Sequence, residues 1–384
     1  MESATARAGL MLPGGGARGA YQVGVLKALM EGVSRPESPF RIIAGTSAGS
    51  INAAVLASHA DNFMEGIERL ELFWGTLRSR QVIRTGWWHN LRMGLHWLAS
   101  MTLGGLGVAN PPSLLDNAPL GELLEAQLRP EGVRSALDRG FLDALLVTAS
   151  GYATARAVTF VQSAEPHPGW AVPRRIGRPA TITHRHLLAS SALPLLFPAV
   201  RLDHEFYGDG GMRHVAPLSP PIRLGADRLV IIGTRDEMPD AEPSLNTGYP
   251  SLGHIGGYLL DVIFMDYLEN DLARLERINR TLTLMTEAQR AESGLRIVQA
   301  IQINPSEDLR SIAARHLHRI PASVRTLLRG VGAWGPGRLP SYLLFEAEYC
   351  RELMDLGYRD GTAARDRVRA LLAAPEPTLA SAGR

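Results

Sequence analysis

Arg41-Ile-Ile-Ala-Gly-Thr-Ser-Ala-Gly-Ser50 sets the frame for the whole chain. Ile42, Ile43 and Ala44 read as a short buried strand and Gly45-Thr46-Ser47-Ala48-Gly49 as a tight turn. Residues 51–57, rich in Ala, Ile, Val and Leu, start a helix. Gly45 and Gly49 flank Ser47 because a sharp strand-to-helix turn has no room for a Cβ on either side. Such a turn lifts the Ser47 hydroxyl to a helix N-terminus, where backbone N–H groups and the helix dipole favour developing negative charge. The same residues also fit a plain glycine-containing helix start capped by Ser47 or Ser50, so the neighbouring stretches decide.

On the N-terminal side, Ala8-Gly-Leu-Met-Leu12 reads as a first strand that runs straight into Pro13-Gly-Gly-Gly-Ala-Arg-Gly19. A helix follows, with Tyr21, Val23, Val25, Leu26, Leu29 and Met30 apolar and Gly32 as its stop. This strand–helix–strand–helix opening argues for an α/β sheet. Gly14-x-Gly16-x-x-Gly19 matches the dinucleotide-binding fingerprint. That reading needs an acidic residue at the end of the second strand to hold a ribose, and that strand ends in Gly45-Thr46-Ser47 instead. The other use of such a loop is an oxyanion hole, in which the amides of Gly14, Gly15 and Gly16 converge on one oxygen beside the serine. Arg18 either fixes this loop, adds positive charge to it, or is a solvated residue at the first turn of the helix.

On the C-terminal side, residues 61–77 and 114–128 have helical patterns. Residues 86–101 hold three of the six tryptophans and read either as a lipid-facing lid or as an ordinary core helix. Residues 145–150 and 156–161 are strands around a turn at Gly151, and 184–191 form a short helix. In His204-Glu-Phe-Tyr-Gly-Asp-Gly-Gly-Met212, Asp209 stands between glycines after a short strand. There a strand end presents a carboxylate into a crevice, or a simple Asp-Gly turn forms. Neither His204 nor His214 lies in a pattern that aims an imidazole at Ser47. Residues 229–234 are another buried strand, 236–251 an exposed connection, and 252–366 largely helical with one strand at 296–303. Between Leu309 and Phe345 there are Arg310, Arg315, Arg319, Arg325, Arg329 and Arg338 but no acidic residue. Leu309, Ile312, Ala313, Leu317 and Ile320 share one helical face. The segment reads as a basic helix for peripheral contact with an anionic membrane, or as a solvated face.

With 40 basic against 38 acidic residues and no basic ladder interleaved with aromatics, no nucleic-acid partner is expected. Cys350 is the single cysteine, which excludes an intramolecular disulfide and a thiolate metal cluster and fits a reducing, cytoplasmic setting. Residues 1–8 are too short and polar for a signal peptide. Residues 91–108 are interrupted by Arg92 and His96 and fall short of the roughly 20 apolar residues that span a bilayer. No metal-ligand cluster is visible, so neither metal nor cofactor is expected.

Three blocks now stand in order, GGGARG, GTSAG and GDGG. Together they closely resemble the patatin-like phospholipase family, as do Ala189-Ser-Ser-Ala-Leu-Pro-Leu-Leu-Phe-Pro198 and Pro217-Leu-Ser-Pro-Pro-Ile222. The likeness is good over residues 8–235 and weaker through Asn304-Pro-Ser-Glu-Asp308 and residues 342–357. GDGG carries Gly211 where some members have Ala. The resemblance implies a three-layer α/β/α sandwich with a mostly helical C-terminal extension. Residues 8–235 would be the catalytic core, 236–375 a helical region of the same domain, and 376–384 a disordered tail. It implies a Ser-Asp dyad acting on a lipid or other acyl ester, with Ser47 as nucleophile and Asp209 as general base. Gly14, Gly15, Gly16 and Arg18 would stabilise the oxyanion. One rival is an α/β-hydrolase with a Ser-His-Asp triad, a fold that places its nucleophile later than the second strand. The other is a non-catalytic lipid-binding scaffold, against which the intact Ser47 and Asp209 argue.

Overall fold

The structure, a computed structural model, describes residues 7–84, 86, 113–236, 255, 258, 266–330 and 338–374. Its organisation follows from the first strand. β1 (Ala8–Leu12) is buried along its whole length. Its side chains alternate, Leu10 and Leu12 entering one apolar cluster and Met11 another. A strand apolar on both faces belongs in the middle of a parallel sheet, and β1 pairs in parallel with β2 (Ile42–Thr46) and β9 (Arg228–Ile232). β3 (Ala144–Gly151) extends the sheet beyond β2 and β10 (Gln299–Ile303) beyond β9, both in parallel. Antiparallel β4 (Arg156–Ser163) follows β3, then β6 (Arg175–Pro179) and β5 (Trp170–Val172). The order is β10-β9-β1-β2-β3-β4-β6-β5 in a ten-stranded sheet. A hairpin of β7 (Val200–Leu202) and β8 (Glu205–Asp209) hangs from the end of β3, to which β8 pairs antiparallel.

Helices cover both faces, which gives the expected three layers. α1 (Gly19–Met30), α2 (Ala48–Ser58), α3 (Phe63–Thr76) and the C-terminal helix Ala347–Ala373 pack over Leu10, Leu12 and Ile43. Ile222, Leu268, Leu272 and Leu275, from Ser219–Arg223 and Asp266–Leu284, pack over Met11, Ile42 and Ala44 on the other face. In α1 every residue except Lys27 is buried, as an all-round apolar helix must be. The C-terminal helix provides the cover. A Cβ on Gly24 would lie 1.9 Å from the Met354 carbonyl oxygen, and one on Gly357 would lie 2.2 Å from that of Tyr21.

Several expectations shift in detail. The two early helices shorten to Phe63–Thr76 and Ala118–Gln127, and the late strand to Gln299–Ile303. β5 and β6 carry no alternating apolar pattern. Their pairing is instead fitted by Gly177, whose missing Cβ leaves room for the Trp170 ring. In the arginine-rich segment, Leu309, Ile312, Ala313 and Ile320 are buried in the main core. Arg315 and Arg319 pair with Glu352 and Glu348 of the C-terminal helix, and Arg310 with Asp308. Two of these acids, Glu348 and Glu352, are remote in sequence, and Asp308 is adjacent. The tryptophan-rich stretch apart from Gly86, the connection at 236–251 apart from Asp236, and the tail after 375 lie outside the described residues.

Candidate active site

Strand register brings the three glycine-bearing segments to one edge. Leu12 stands opposite Gly45, Thr46 opposite Thr148, and Ala149 opposite Asp209. The loop after β1, the turn after β2 and the end of β8 therefore meet at the carboxyl ends of the parallel strands, where open α/β sheets carry their sites.

Ser47 is a single residue between β2 and α2 with φ 54° and ψ −130°, a sparsely populated conformation for a residue with a Cβ. Its glycine neighbours are mandatory. A Cβ on Gly45 would lie 2.3 Å from the Gly49 carbonyl oxygen, and one on Gly49 would lie 2.0 Å from that of Leu12. The Ser47 amide donates to Ser190 Oγ at 2.8 Å, and the Ser190 hydroxyl donates to the Thr148 carbonyl at 2.7 Å. Ser50, not Ser47, serves the helix start, its hydroxyl donating to the Ser47 carbonyl at 2.6 Å. The Ser47 hydroxyl makes no cap.

Asp209 is fully buried. Its amide donates to the Ala192 carbonyl at 2.8 Å, and its Oδ1 accepts from the Gly211 amide at 2.9 Å. Oδ2 is buried with no hydrogen-bond partner among the described residues. The Ser47 side chain is near enough to favour the charged carboxylate, yet the pair stands outside direct hydrogen-bond geometry, which is common before substrate binds. Burial dominates, pushing the carboxyl from 3.8 up to about 7 against the opposing pull of Ser47 and the Gly211 amide.

The loop Gly14-Gly15-Gly16 is shaped from outside. Gly16 has φ 55°, and a Cβ there would lie 2.3 Å from the Tyr342 carbonyl oxygen. The Thr234 hydroxyl donates to the Gly14 carbonyl at 2.6 Å, and the Arg18 amide to that of Gly15 at 3.1 Å. The amides of the three glycines donate to no acceptor among the described residues. Arg18 is buried. Its guanidinium donates to Ser341 Oγ at 2.6 and 3.1 Å and to the Thr234 carbonyl at 3.4 Å, and stacks 4.1 Å from the centre of the Tyr342 ring. It is tied to Thr234 and Tyr342, both of which touch the loop, and the solvated reading does not hold. Behind the loop, Gln22 donates to the carbonyls of Pro13 and Ile232, and Asn52 links Gln22 to Trp74.

The Patatin-like phospholipase family matches residues 10–222, more than half the chain, and the match contains the glycine loop, Ser47 and Asp209. The chain belongs to the patatin-like phospholipase family. Over 54 residues it is 56% identical to the lysophospholipase nte1 of Aspergillus terreus, a stretch that is 14% of this chain and 3% of that protein. The chain thus spans only a small fraction of that curated relative. Among solved structures it is similar to VipD from Legionella pneumophila, with 14% identity, TM-score 0.35, and coverage of 95% of this chain and 68% of that one. It is also similar to human GIVD cytosolic phospholipase A2 in complex with methyl gamma-linolenyl fluorophosphonate, with 13% identity, TM-score 0.46, and coverage of 97% and 60%.

One histidine lies beside this patatin-like site. His214 is buried, and its Nδ1 is 3.0 Å from Thr46 Oγ1. Burial keeps the ring neutral, lowering its pKa to about 3, so it is a poor base at neutral pH. His204 is exposed. Among the described residues no group of three or more His, Cys, Asp or Glu could hold a metal ion. No helix among them is long and apolar enough to cross a membrane. Sequence reasoning missed Ser190, Thr234 and Ser341 as supports of the patatin-like site. Only Ser190 carried a signal, inside the Ala189-Ser-Ser-Ala192 block.

Proposed function

We propose that this chain is a serine lipid acyl hydrolase of the phospholipase A or lysophospholipase type, working through a Ser47–Asp209 dyad. The observation that carries the reading is the buried, unpartnered Oδ2 of Asp209 beside the Ser47 hydroxyl. A buried carboxyl with its pKa raised to about 7 is a competent base, whereas a free Asp with pKa ~3.9 is a weak one. Ser47 Oγ attacks the ester carbonyl as Asp209 takes its proton. The carbonyl oxygen becomes an oxyanion facing the amides of Gly14, Gly15 and Gly16, each donor worth about 3–4 kcal/mol in a comparable hole. Collapse expels the alcohol, which receives the proton from Asp209, and leaves an acyl-Ser47 ester. Water then attacks that ester with Asp209 again as base, freeing the fatty acid and restoring the Ser47 hydroxyl.

In this reading the enzyme meets its lipid peripherally. Residues 8–235 and the helical C-terminal region act as one domain, because Tyr342 and Ser341 complete the glycine loop. A fluorophosphonate probe should label Ser47, and lysophospholipid hydrolysis should disappear in Ser47→Ala with the fold unchanged by circular dichroism. Parental labelling or turnover in that variant would refute the assignment.

A further inference from the structure

Thr46 is the last residue of β2, immediately before the strained Ser47. It shares the face of Ile42 and Ala44, so its hydroxyl lies beneath the turn, away from α2. There it meets His214, which arrives from the segment just after the Asp209 turn. Beside this pair is a cavity of about 20 Å³ lined by Thr46, His214, Gly14, Gly211, Met11 and Tyr267. Nε2 of His214 is buried with no hydrogen-bond partner among the described residues, and a buried polar atom calls for one. About 10–15 Å³ suffices for one water, provided polar groups surround it. The backbone of Gly14 and Gly211 borders the same space.

We propose that His214 is a positioning residue of the hydrolase, bracing Thr46 directly and Gly14 and Gly211 through one ordered water held on its Nε2. The inference rests on the dyad reading and adds to it. His214 touches neither substrate nor the proton in transit. It ties together the strand end that aims the nucleophile, the loop that holds the oxyanion, and the turn that anchors the base through the Gly211 amide. His214 lies 168 residues from Thr46 in sequence, and the glycine loop lies earlier still. A neutral ring suits the role, because it offers one nitrogen to Thr46 and the other to water without bringing charge next to Asp209.

The test uses the full-length enzyme, with active sites counted by fluorophosphonate titration so that turnover is read per competent site. His214→Leu removes both nitrogens. Thr46→Val keeps shape and removes only the hydroxyl. Each should lower kcat by roughly 10- to 100-fold with KM within about twofold. The double variant should be no worse than the more severe single, since both break one link. His214→Asn, which keeps a polar atom near the position of Nδ1, should recover kcat to within about fivefold of the parent. A high-resolution crystal structure should show the water on Nε2. Parental kcat per site in both singles, losses that multiply in the double, or a dry cavity would overturn the inference. Ser47→Ala, measured in parallel, separates the two claims. If it retains turnover the dyad reading itself is wrong. If it is inactive while His214→Leu turns over normally per site, only the bracing role is lost.

Discussion

Two regions of this molecule press backbone against backbone through glycine, with opposite results. At the turn around Ser47, Gly45 and Gly49 clear space so that a serine can be held in the left-handed region with its hydroxyl uncommitted. At the seam between α1 and the C-terminal helix, Gly24, Gly357 and Gly361 clear space so that two regular helices can touch, and the Tyr21 hydroxyl donates to Asp360 across the contact at 2.9 Å. The first contact holds the proposed nucleophile in strain; the second removes apolar surface from water without strain. On the proposed mechanism activity and stability are lodged in different glycine contacts, and substitutions should separate them.

The largest effect is expected at the strained edge. Asp209→Asn should lower kcat by about 10²–10⁴, the usual worth of a general base, and leave the protein folded. It should also stabilise. The Asp209 carboxyl is raised from 3.8 to about 7 in the folded protein, so the folded state prefers it protonated. Its contribution to stability is complete below pH ~4 and lost as pH rises through about 7. The Tm of Asp209→Asn should therefore match the parent in acid and exceed it above pH 7, with a ceiling of about 4 kcal/mol at ~1.36 kcal/mol per pH unit. A lower Tm at pH 8 would contradict the burial argument. In the parent, the same ionisation should make kcat/KM fall about tenfold per pH unit below pH 7 and level off above it. A profile flat down to pH 5 would exclude Asp209 as the base.

At the relaxed seam the pattern should invert. Gly357→Ala forces a methyl group toward the Tyr21 carbonyl and should cost about 1–3 kcal/mol in denaturant unfolding, as overpacking does. Turnover per titrated site should stay parental. A large loss of kcat with unchanged stability would erase the distinction between the two regions.

What could be read from the chain is what backbone geometry dictates locally. Gly45 is forced by the Gly49 carbonyl four residues on, and Gly16 by its own positive φ of 55°, and the short apolar runs around them fix which strands carry Ser47 and Asp209. The supports are invisible because they are remote. Arg18 finds Ser341 across 323 residues and Thr46 finds His214 across 168. Arg315 and Arg319 looked like an uncompensated basic strip only because Glu352 and Glu348 arrive about 30 residues later on another helix. β5 and β6, short and partly exposed at the sheet edge, lack the period-2 pattern by which strands are found.

The clamp of Arg18 on Ser341 and Tyr342 also bears on when the enzyme becomes active during its own synthesis. Chains emerge N-terminus first at about 5–20 residues per second. Ser47 and Asp209 leave the ribosome well before the segment that closes the glycine loop and the helix that covers α1. A nascent chain of about 300 residues holds Ser47 and Asp209, but Gly16 lacks the Tyr342 carbonyl it is fitted to and α1 lacks its cover. On the proposed dyad mechanism, hydrolysis therefore waits for residues 341–373.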